Sequence, residues 1–517
     1  MAHSPLKRIL ASVMEVARLR NAHGISNEAA LALARERRQL LKMSAAGSAA
    51  LLAANPLLPA AATTGGDCDA RIVIVGAGLG GLACAYQLKK AGITAKVYEA
   101  SDRLGGRCSS NTTTFPGQVA ENGGELIDTT HFELRKLAFD LGLVMDDLAA
   151  YDEEMGGELT FWIDGARYTW DEQVADFAAI ADHVDADNRA APFPQTYNRN
   201  TARGRELDQM SAVDYINQYL PGGVTSRQGK LLKLLMDASA GIAATEVSAL
   251  DLVGFFAPNG SDERFHIRGG NDQLVSRMAA TLDSGQITKG HALTRIARNS
   301  DGSYALTFRK TNGTSVAMVA DHVVLALPFS ILQSSVDYSG AGFDSRKVAA
   351  IQQFKMGMHS KFQMQFERRI WREQGYTGVS DGDTGYQISW EVSRAQPGQA
   401  GILTCFSGDQ VAVAMNNKPI NQKAADLLDG LDLTFPGVKT LWNGRVVLNY
   451  WPGNPWSKGA YTCHPKGSYT SRYGYEGVRQ GNCHFAGEHA SVEHSGFMNG
   501  AVETGQRCAK AILLAVR

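Results

Sequence analysis

The sequence predicts an α/β protein that opens on a parallel, nucleotide-binding sheet, and three observations carry this. Arg71–Val75 reads RIVIV, the unbroken apolar run of a strand buried on both faces. Glycines follow at Gly76, Gly78 and Gly81 in G-x-G-x-x-G spacing. A second strand, TAKVYEA, ends in Glu99, about 20 residues past those glycines. Between them a helix is expected from Leu82 to Ala91, stopped by Gly92. Strand, loop, helix and strand make a βαβ start of Rossmann-like type. Gly76 suits the tight turn, Gly78 lets backbone approach a pyrophosphate, and Gly81 lets helix and strand pack closely. The helix N-terminus then faces phosphate charge. Glu99 can accept both ribose hydroxyl protons and would repel a 2′-phosphate.

The next elements select the nucleotide. ASDRLGGRC places Arg103 and Arg107 around Gly105-Gly106, and ENGGELID brings Gly123 and Gly124 just before Glu125. Each glycine pair alone is a turn signal. Following Glu99 so closely, they offer further backbone-approach points for a long ligand threaded across the domain. FAD is such a ligand.

A loose boundary falls near residue 145, and residues 150–250 read as a helical, polar insertion without motifs. FHIRGGNDQLVSRMAATL is a strand, a turn at Gly269-Gly270 and a helix. TRIARN, YALTFRK and DHVVLALP read as strands, the last stopped by Pro328. HSKFQMQF alternates, with Phe362, Met364 and Phe366 on one face and Lys361, Gln363 and Gln365 on the other. By itself a lysine on such a polar face is expected to be solvated. CHFAGEHASVEHSGFMNGAVETGQRCAKAIL runs from a strand through a glycine-containing loop into a last helix.

At 517 residues two domains are expected, with interleaving allowed. The 51 basic and 52 acidic residues give no case for nucleic acid. The seven cysteines are scattered without a C-x-x-C, so no zinc site is expected; a single disulfide stays open. Near the N-terminus, Arg37-Arg38 precede Gln39-Leu40-Leu41-Lys42, an apolar stretch from Met43 to Leu58, Pro59 and an alanine run to Ala62. This order resembles a bacterial twin-arginine export signal. Glu36 and Leu40 depart from that pattern, and the leader before the arginines is unusually long. Residues 1–62 are therefore expected to be an export signal, which makes the product periplasmic. The apolar stretch is shorter than the ~20 residues that a membrane span needs, so no stable membrane anchor is expected. Loss of residues 1–62 leaves 43 basic and 49 acidic residues, a mildly acidic chain.

The chain resembles the flavin-containing amine oxidases, which include monoamine, polyamine and L-amino-acid oxidases. The matching blocks are VIVGAGLGGL…VYEASDRLGGRC, IRGGNDQL, VVLALP, KFQMQF…IW, WSKGAY and FAGEHAS…GFMNGAVETGQR, in the family's order from 71 to 507. The resemblance implies an α/β fold of two interleaved domains. A Rossmann-like FAD-binding domain would use 66–145, 255–345 and 445–517. An α+β substrate domain would use 146–254 and 346–444. Gly76, Gly78, Gly81, Gly105, Gly106 and Arg107 would serve the pyrophosphate, and Glu99 the ribose. Gly123, Gly124 and Glu125 would line the cofactor, and the Leu293 backbone would meet adenine. Gly487 and Glu488 would approach pyrophosphate and ribitol. Met498 would offer its N–H to the flavin, where the positive end of the last helix favours negative charge. Lys361 matches the lysine that holds a water near flavin N5. Tyr461 and Phe497 match the two walls of an amine cage, beside Trp451 and Trp456. Ala460 stands where some relatives carry a flavin-linking cysteine, which implies non-covalent FAD.

The implied reaction is C–N oxidation of an amine, with O₂ or another acceptor taking the electrons. No metal and no Ser-His-Asp constellation is needed. An L-amino-acid oxidase, favouring basic substrates, is the close alternative, because Arg264 or Arg268 could hold an α-carboxylate. Buried carboxylates at Glu125 or Asp128 favour amines, since they would repel a carboxylate and attract a second ammonium; a structural role for both is the equal alternative. A flavin-binding protein without turnover and a C–C desaturase are the other readings. The desaturase needs a wide apolar tunnel. Oligomeric state stays open, with a homodimer as one option.

Overall fold

A computed structural model describes residues 6–34, 70–257 and 261–516. Arg37-Arg38, the apolar stretch and the alanine run lie outside the described residues.

Two large sheets organise the chain. The first has five strands in the order Cys483–Phe485, His322–Leu325, Ile72–Val75, Lys96–Tyr98, Ile287–Thr288. All its neighbours are parallel. Ile72–Val75 and His322–Leu325 are buried at every position, as expected of central strands covered on both faces. Alternation splits their side chains. Ile72, Ile74 and Val324 pack towards the helices Leu79–Lys90 and Met498–Val516. Val73, Val75, Val323 and Leu325 pack against a three-stranded antiparallel sheet of His291–Arg298, Tyr304–Lys310 and Ser315–Ala320. The glycine loop closes tightly. Gly76 has φ +101°, and a Cβ on Gly81 would lie 1.9 Å from the Gly76 carbonyl oxygen, so neither position takes a side chain.

The second sheet has seven strands in the order Trp442–Tyr450, His359–Phe366, Gly401–Gly408, Ile388–Glu391, Tyr376–Gly382, Glu158–Ile163, Ala166–Arg167. One face packs Phe362, Met364 and Leu403 against the helix Ile420–Thr434. The other face packs Phe161, Val379 and Ile388 against Trp170–Ala190 and Arg227–Ala240. The two sheets are built from alternating stretches of chain, so the domains interleave.

Four expectations change. All eight residues of His359–Phe366 are buried, so its polar face is not solvated. It lies against the first domain, where Gln363 donates to the Glu121 carbonyl at 3.1 Å and Gln365 to Gln118 Oε1 at 2.9 Å. Trp442–Tyr450 is paired along its length with His359–Phe366, so the chain up to 450 lies with the substrate sheet and does not leave it at 445. The 150–250 insertion is not only helical, because Glu158–Ile163 and Ala166–Arg167 extend that same sheet. Finally, the supposed leader is partly folded. The helix Leu6–His23 runs antiparallel to Trp170–Ala190, with Arg18 near Asp185 (3.5 Å) and Asn21 donating to the Ala178 carbonyl (3.0 Å). Val13, Met14, Val16 and Ala17 are fully buried there, in the same core as Phe177, Ile180 and Val184. Among the described residues no helix is long and apolar enough to cross a membrane.

Candidate active site

A cavity of about 620 Å³ runs between the two sheets. Every cofactor-binding and amine-cage residue expected from the sequence, and Lys361, lines it except Gly81, which sits behind the loop and serves packing. At one end are Gly76, Gly78, Glu99, Gly105, Gly106, Arg107, His291 and Leu293. Glu99 is not idle there. Its carboxylate accepts from the Ala77 N–H at 2.8 Å and from the Ser101 N–H and hydroxyl at 2.9 and 2.7 Å, which ties the glycine loop to the second strand.

The middle is framed by Gly123, Gly124, Trp451, Ala460, Gly487, Glu488 and Met498. A Cβ on Gly123 would lie 1.9 Å from the Arg107 carbonyl oxygen and 3.0 Å from the Trp451 ring, so the loop is pressed against both. Arg107 donates to Glu488 at 2.6 Å and to the Ala460 carbonyl at 2.9 Å. Burial pushes the Glu488 carboxyl up, but Arg107, His489 and Thr462 together outweigh it and the net pKa lies below the usual range. Thr462 and the Gly496 N–H also donate to Glu488. Trp456 is 41 % exposed at the cavity's edge.

The far end holds Lys361, Glu125, Glu263, His359, Trp390, Phe406, Tyr461 and Phe497. Lys361 donates to Glu125 at 2.7 Å and to the Gly123 carbonyl at 2.8 Å. Trp390 Nε1 donates to the other Glu125 oxygen at 2.9 Å. Burial raises the Glu125 pKa, and the Lys361 charge, the hydrogen bonds from Lys361 and Trp390 and the nearby His266 together more than reverse that. Beside this pair the rings are layered. His359 stacks on Tyr461 at 4.2 Å and on Phe406 at 5.2 Å. Tyr461 donates to the Ser239 carbonyl at 2.8 Å, and His359 Nε2 lies 3.3 Å from that oxygen. Burial holds the His359 pKa down at about 4, so the imidazole is neutral at pH 7.

Sequence reasoning missed His359, Phe406, Trp390 and Glu263. His359 was within reach, since it lies two residues before Lys361 and strand alternation puts both on one face. No local signal marks the other three. The proposed carboxylate arginines are elsewhere. Arg264 pairs with Asp147 (2.5 Å) and Arg268 with Asp146 (2.6 Å), and neither lines the cavity. Asp128 does not line it either. It accepts from Ser261 (2.6 Å) and from the Glu263 N–H (2.7 Å), as a strut for that turn. Glu125 is committed to Lys361, so both carboxylates follow the structural alternative rather than awaiting a substrate.

A parallel nucleotide-binding sheet joined through one cavity to an aromatic compartment on a second sheet defines an enzyme that brings a dinucleotide cofactor to an organic substrate. Residues 79–513 match the family model for flavin containing amine oxidoreductases, and the chain belongs to that family. It is therefore a flavoprotein oxidoreductase acting on amines. It is 25 % identical to polyamine oxidase 1 of Zea mays over 510 residues, covering 91 % of this chain and 97 % of that one. It is also 25 % identical to a putative L-amino-acid oxidase of Bacillus subtilis, over 85 % of this chain and 93 % of that one. Among solved structures, wild-type putrescine oxidase bound to putrescine superposes with a TM-score of 0.72 at 25 % identity, covering 86 % and 99 % of the two chains.

Proposed function

We propose that the protein catalyses FAD-dependent oxidative deamination of an amine that carries no α-carboxylate. One observation supports this most. The arginines on the cavity, Arg103, Arg107 and Arg309, lie towards the nucleotide end and middle, whereas the substrate end holds carboxylates and rings. A substrate carboxylate is normally held by a bidentate guanidinium. Lys361 is no substitute, because Glu125 already neutralises it. The charged lining at this end also disfavours the apolar substrate of a desaturase.

The residues present fit FAD. The side-chain-free faces of Gly78 and Gly106 border the cavity, and Glu99, Leu293, Glu488 and Met498 follow along its length. FAD would bind along them without a covalent link, since Ala460 offers no thiol. Bound there, FAD would supply the two-electron acceptor for hydride from the substrate α-carbon, with O₂ as the final oxidant yielding hydrogen peroxide. The protein's part is placement. Tyr461 and Phe497 flank the reacting amine, with Tyr461 fixed from behind by His359 and by the Ser239 carbonyl. Rings and loss of water favour the neutral amine, whose lone pair the oxidation needs. Lys361, clamped by Glu125, Gly123 and the carbonyl of Glu121 (3.4 Å), holds a fixed positive charge at the floor. Water then hydrolyses the product imine to a carbonyl compound and ammonia.

The test is a peroxide-coupled screen of monoamines, diamines, polyamines and the common L-amino acids. Turnover of amines is expected. Activity confined to neutral or acidic L-amino acids would overturn the reading. Export to the periplasm is our inference from Arg37-Arg38 and the alanine run. Changing both arginines to lysine should trap active enzyme in the cytoplasm, and unchanged periplasmic activity would refute it.

A further inference from the structure

We propose that the Met498 thioether is a modification site, oxidised to the sulfoxide by hydrogen peroxide formed in the cavity before that peroxide escapes, so that turnover itself marks the enzyme at one position. This rests on O₂ as the final oxidant of the proposed reaction.

Met498 is the one methionine that lines the cavity among the described residues, and it stands in the middle, between the nucleotide end and the aromatic compartment. It is partly exposed there. The thioethers of Met278 and Met364, by contrast, are fully buried in the cores of the two domains. Peroxide has few other targets on this lining. It attacks thioethers, and cysteine only as the thiolate. Cys108 is the one cysteine on the cavity, and it is buried, with its pKa pushed well up by burial and by Glu121 and Asp272. Its thiol therefore stays protonated and unreactive at neutral pH.

The step balances. The sulfur lone pair takes one oxygen atom from peroxide as the O–O bond breaks. Sulfur is oxidised by two electrons, and the departing hydroxide takes the proton left on the transferred oxygen and leaves as water. The new oxygen has little room. A Cβ on Gly124 would lie 2.7 Å from Met498 Cγ and 2.9 Å from Sδ, so the loop is already pressed against the thioether. That loop is tied down by the Gly124 N–H, which donates to the Arg107 carbonyl at 3.1 Å, and Arg107 in turn holds Glu488. A sulfoxide is larger and polar, so it must either face the cavity or push the Gly124 loop off Arg107. Both loosen the walls assigned to FAD, and the oxidised enzyme should hold its flavin less tightly.

The test is peptide mapping of the FAD-loaded full-length enzyme after turnover of the amine that reacts fastest in the screen, with excess catalase removing peroxide from bulk solution. The Met498 peptide should gain one oxygen, about 16 Da, in proportion to turnovers. Met155 and Met358, both exposed on the surface, should stay unoxidised. Resting enzyme dosed with peroxide, without amine or catalase, should show the reverse order. Free-flavin fluorescence should rise with the oxidised fraction. Met498→Leu keeps the backbone N–H and removes the sulfur. With each enzyme's decline read against its own initial rate, the leucine variant should lose the decline per turnover seen in the wild type. A Met498 peptide of unchanged mass after turnover with peroxide release, or one oxidised no faster than Met155 and Met358, overturns the proposal and leaves amine oxidation standing. The wild-type mapping decides this even where the leucine variant fails to fold. Amine turnover that reduces an artificial acceptor but releases no peroxide has the same effect. Absence of any amine turnover by the wild type overturns the proposed function as well.

Discussion

Replacing Lys361 by methionine tests whether the Lys361–Glu125 pair organises the site. Both side chains are almost fully buried and meet at 2.7 Å. Lys361→Met keeps bulk but leaves the Glu125 carboxylate with the Trp390 N–H as its remaining hydrogen-bond donor among the contacts described. Breaking one side of a buried ion pair costs about 3–5 kcal/mol. Part of that loss returns when Glu125 takes up a proton. The sign of the pH dependence then inverts. In the wild type the Glu125 pKa is lowered, so its contribution is present at neutral pH and is lost as pH falls through the folded pKa. In Lys361→Met burial is opposed only by the Trp390 hydrogen bond and His266 among the influences described, and as the largest of these it should raise the Glu125 pKa, so stability declines as pH rises above the unfolded value. Denaturant melts of the holoenzyme at pH 5 and pH 8 should therefore give a larger deficit at pH 8. A second change, Glu125→Gln, should recover at least about 1 kcal/mol through coupling of the pair. Reoxidation of the reduced flavin by O₂, followed by stopped flow, should also slow. Additive losses in the double variant with the same deficit at both pH values would refute the reasoning.

Three further outcomes are expected. Asp381 is fully buried, neither carboxyl oxygen has a hydrogen-bond partner among the described residues, and burial pushes its pKa well above the usual range. It destabilises the fold progressively as pH rises, so Asp381→Asn should raise Tm by about 2 °C or more at pH 8 and change little at pH 4; equal shifts at both would count against this. Removing residues 1–35 uncovers the apolar flank of Trp170–Ala190 and should lower Tm, whereas an unchanged melt would show that the docked helix adds nothing. Acid precipitation should release all the flavin as FAD, and colour retained on a peptide would contradict the role given to Ala460.

The nucleotide half of the site was legible in the sequence because its signals are local. Gly76, Gly78, Gly81 and Glu99 lie within one βαβ unit, and the backbone chemistry of that loop requires glycine at set spacing. The last helix, opening at Met498, was legible for the same reason. The substrate half was not. Alternation in His359–Phe366 separated Lys361 from Phe362, but it could not say what covers each face. The covering turned out to be the other domain, with Glu125 reaching Lys361 from 236 residues away in sequence. Pairing at that distance is set by how the two sheets dock, and no periodicity encodes it. The same docking turned Glu263 inward and Arg264 outward, where neighbouring charges look equivalent in sequence. It also gave the helix Leu6–His23 a partner, Trp170–Ala190, whose apolar stripe matches its own only once both helices exist. Sequence by itself determined the cofactor loop and the family's chemistry; tertiary structure decided which charges face the substrate, because a buried charge takes its meaning from the partner brought against it.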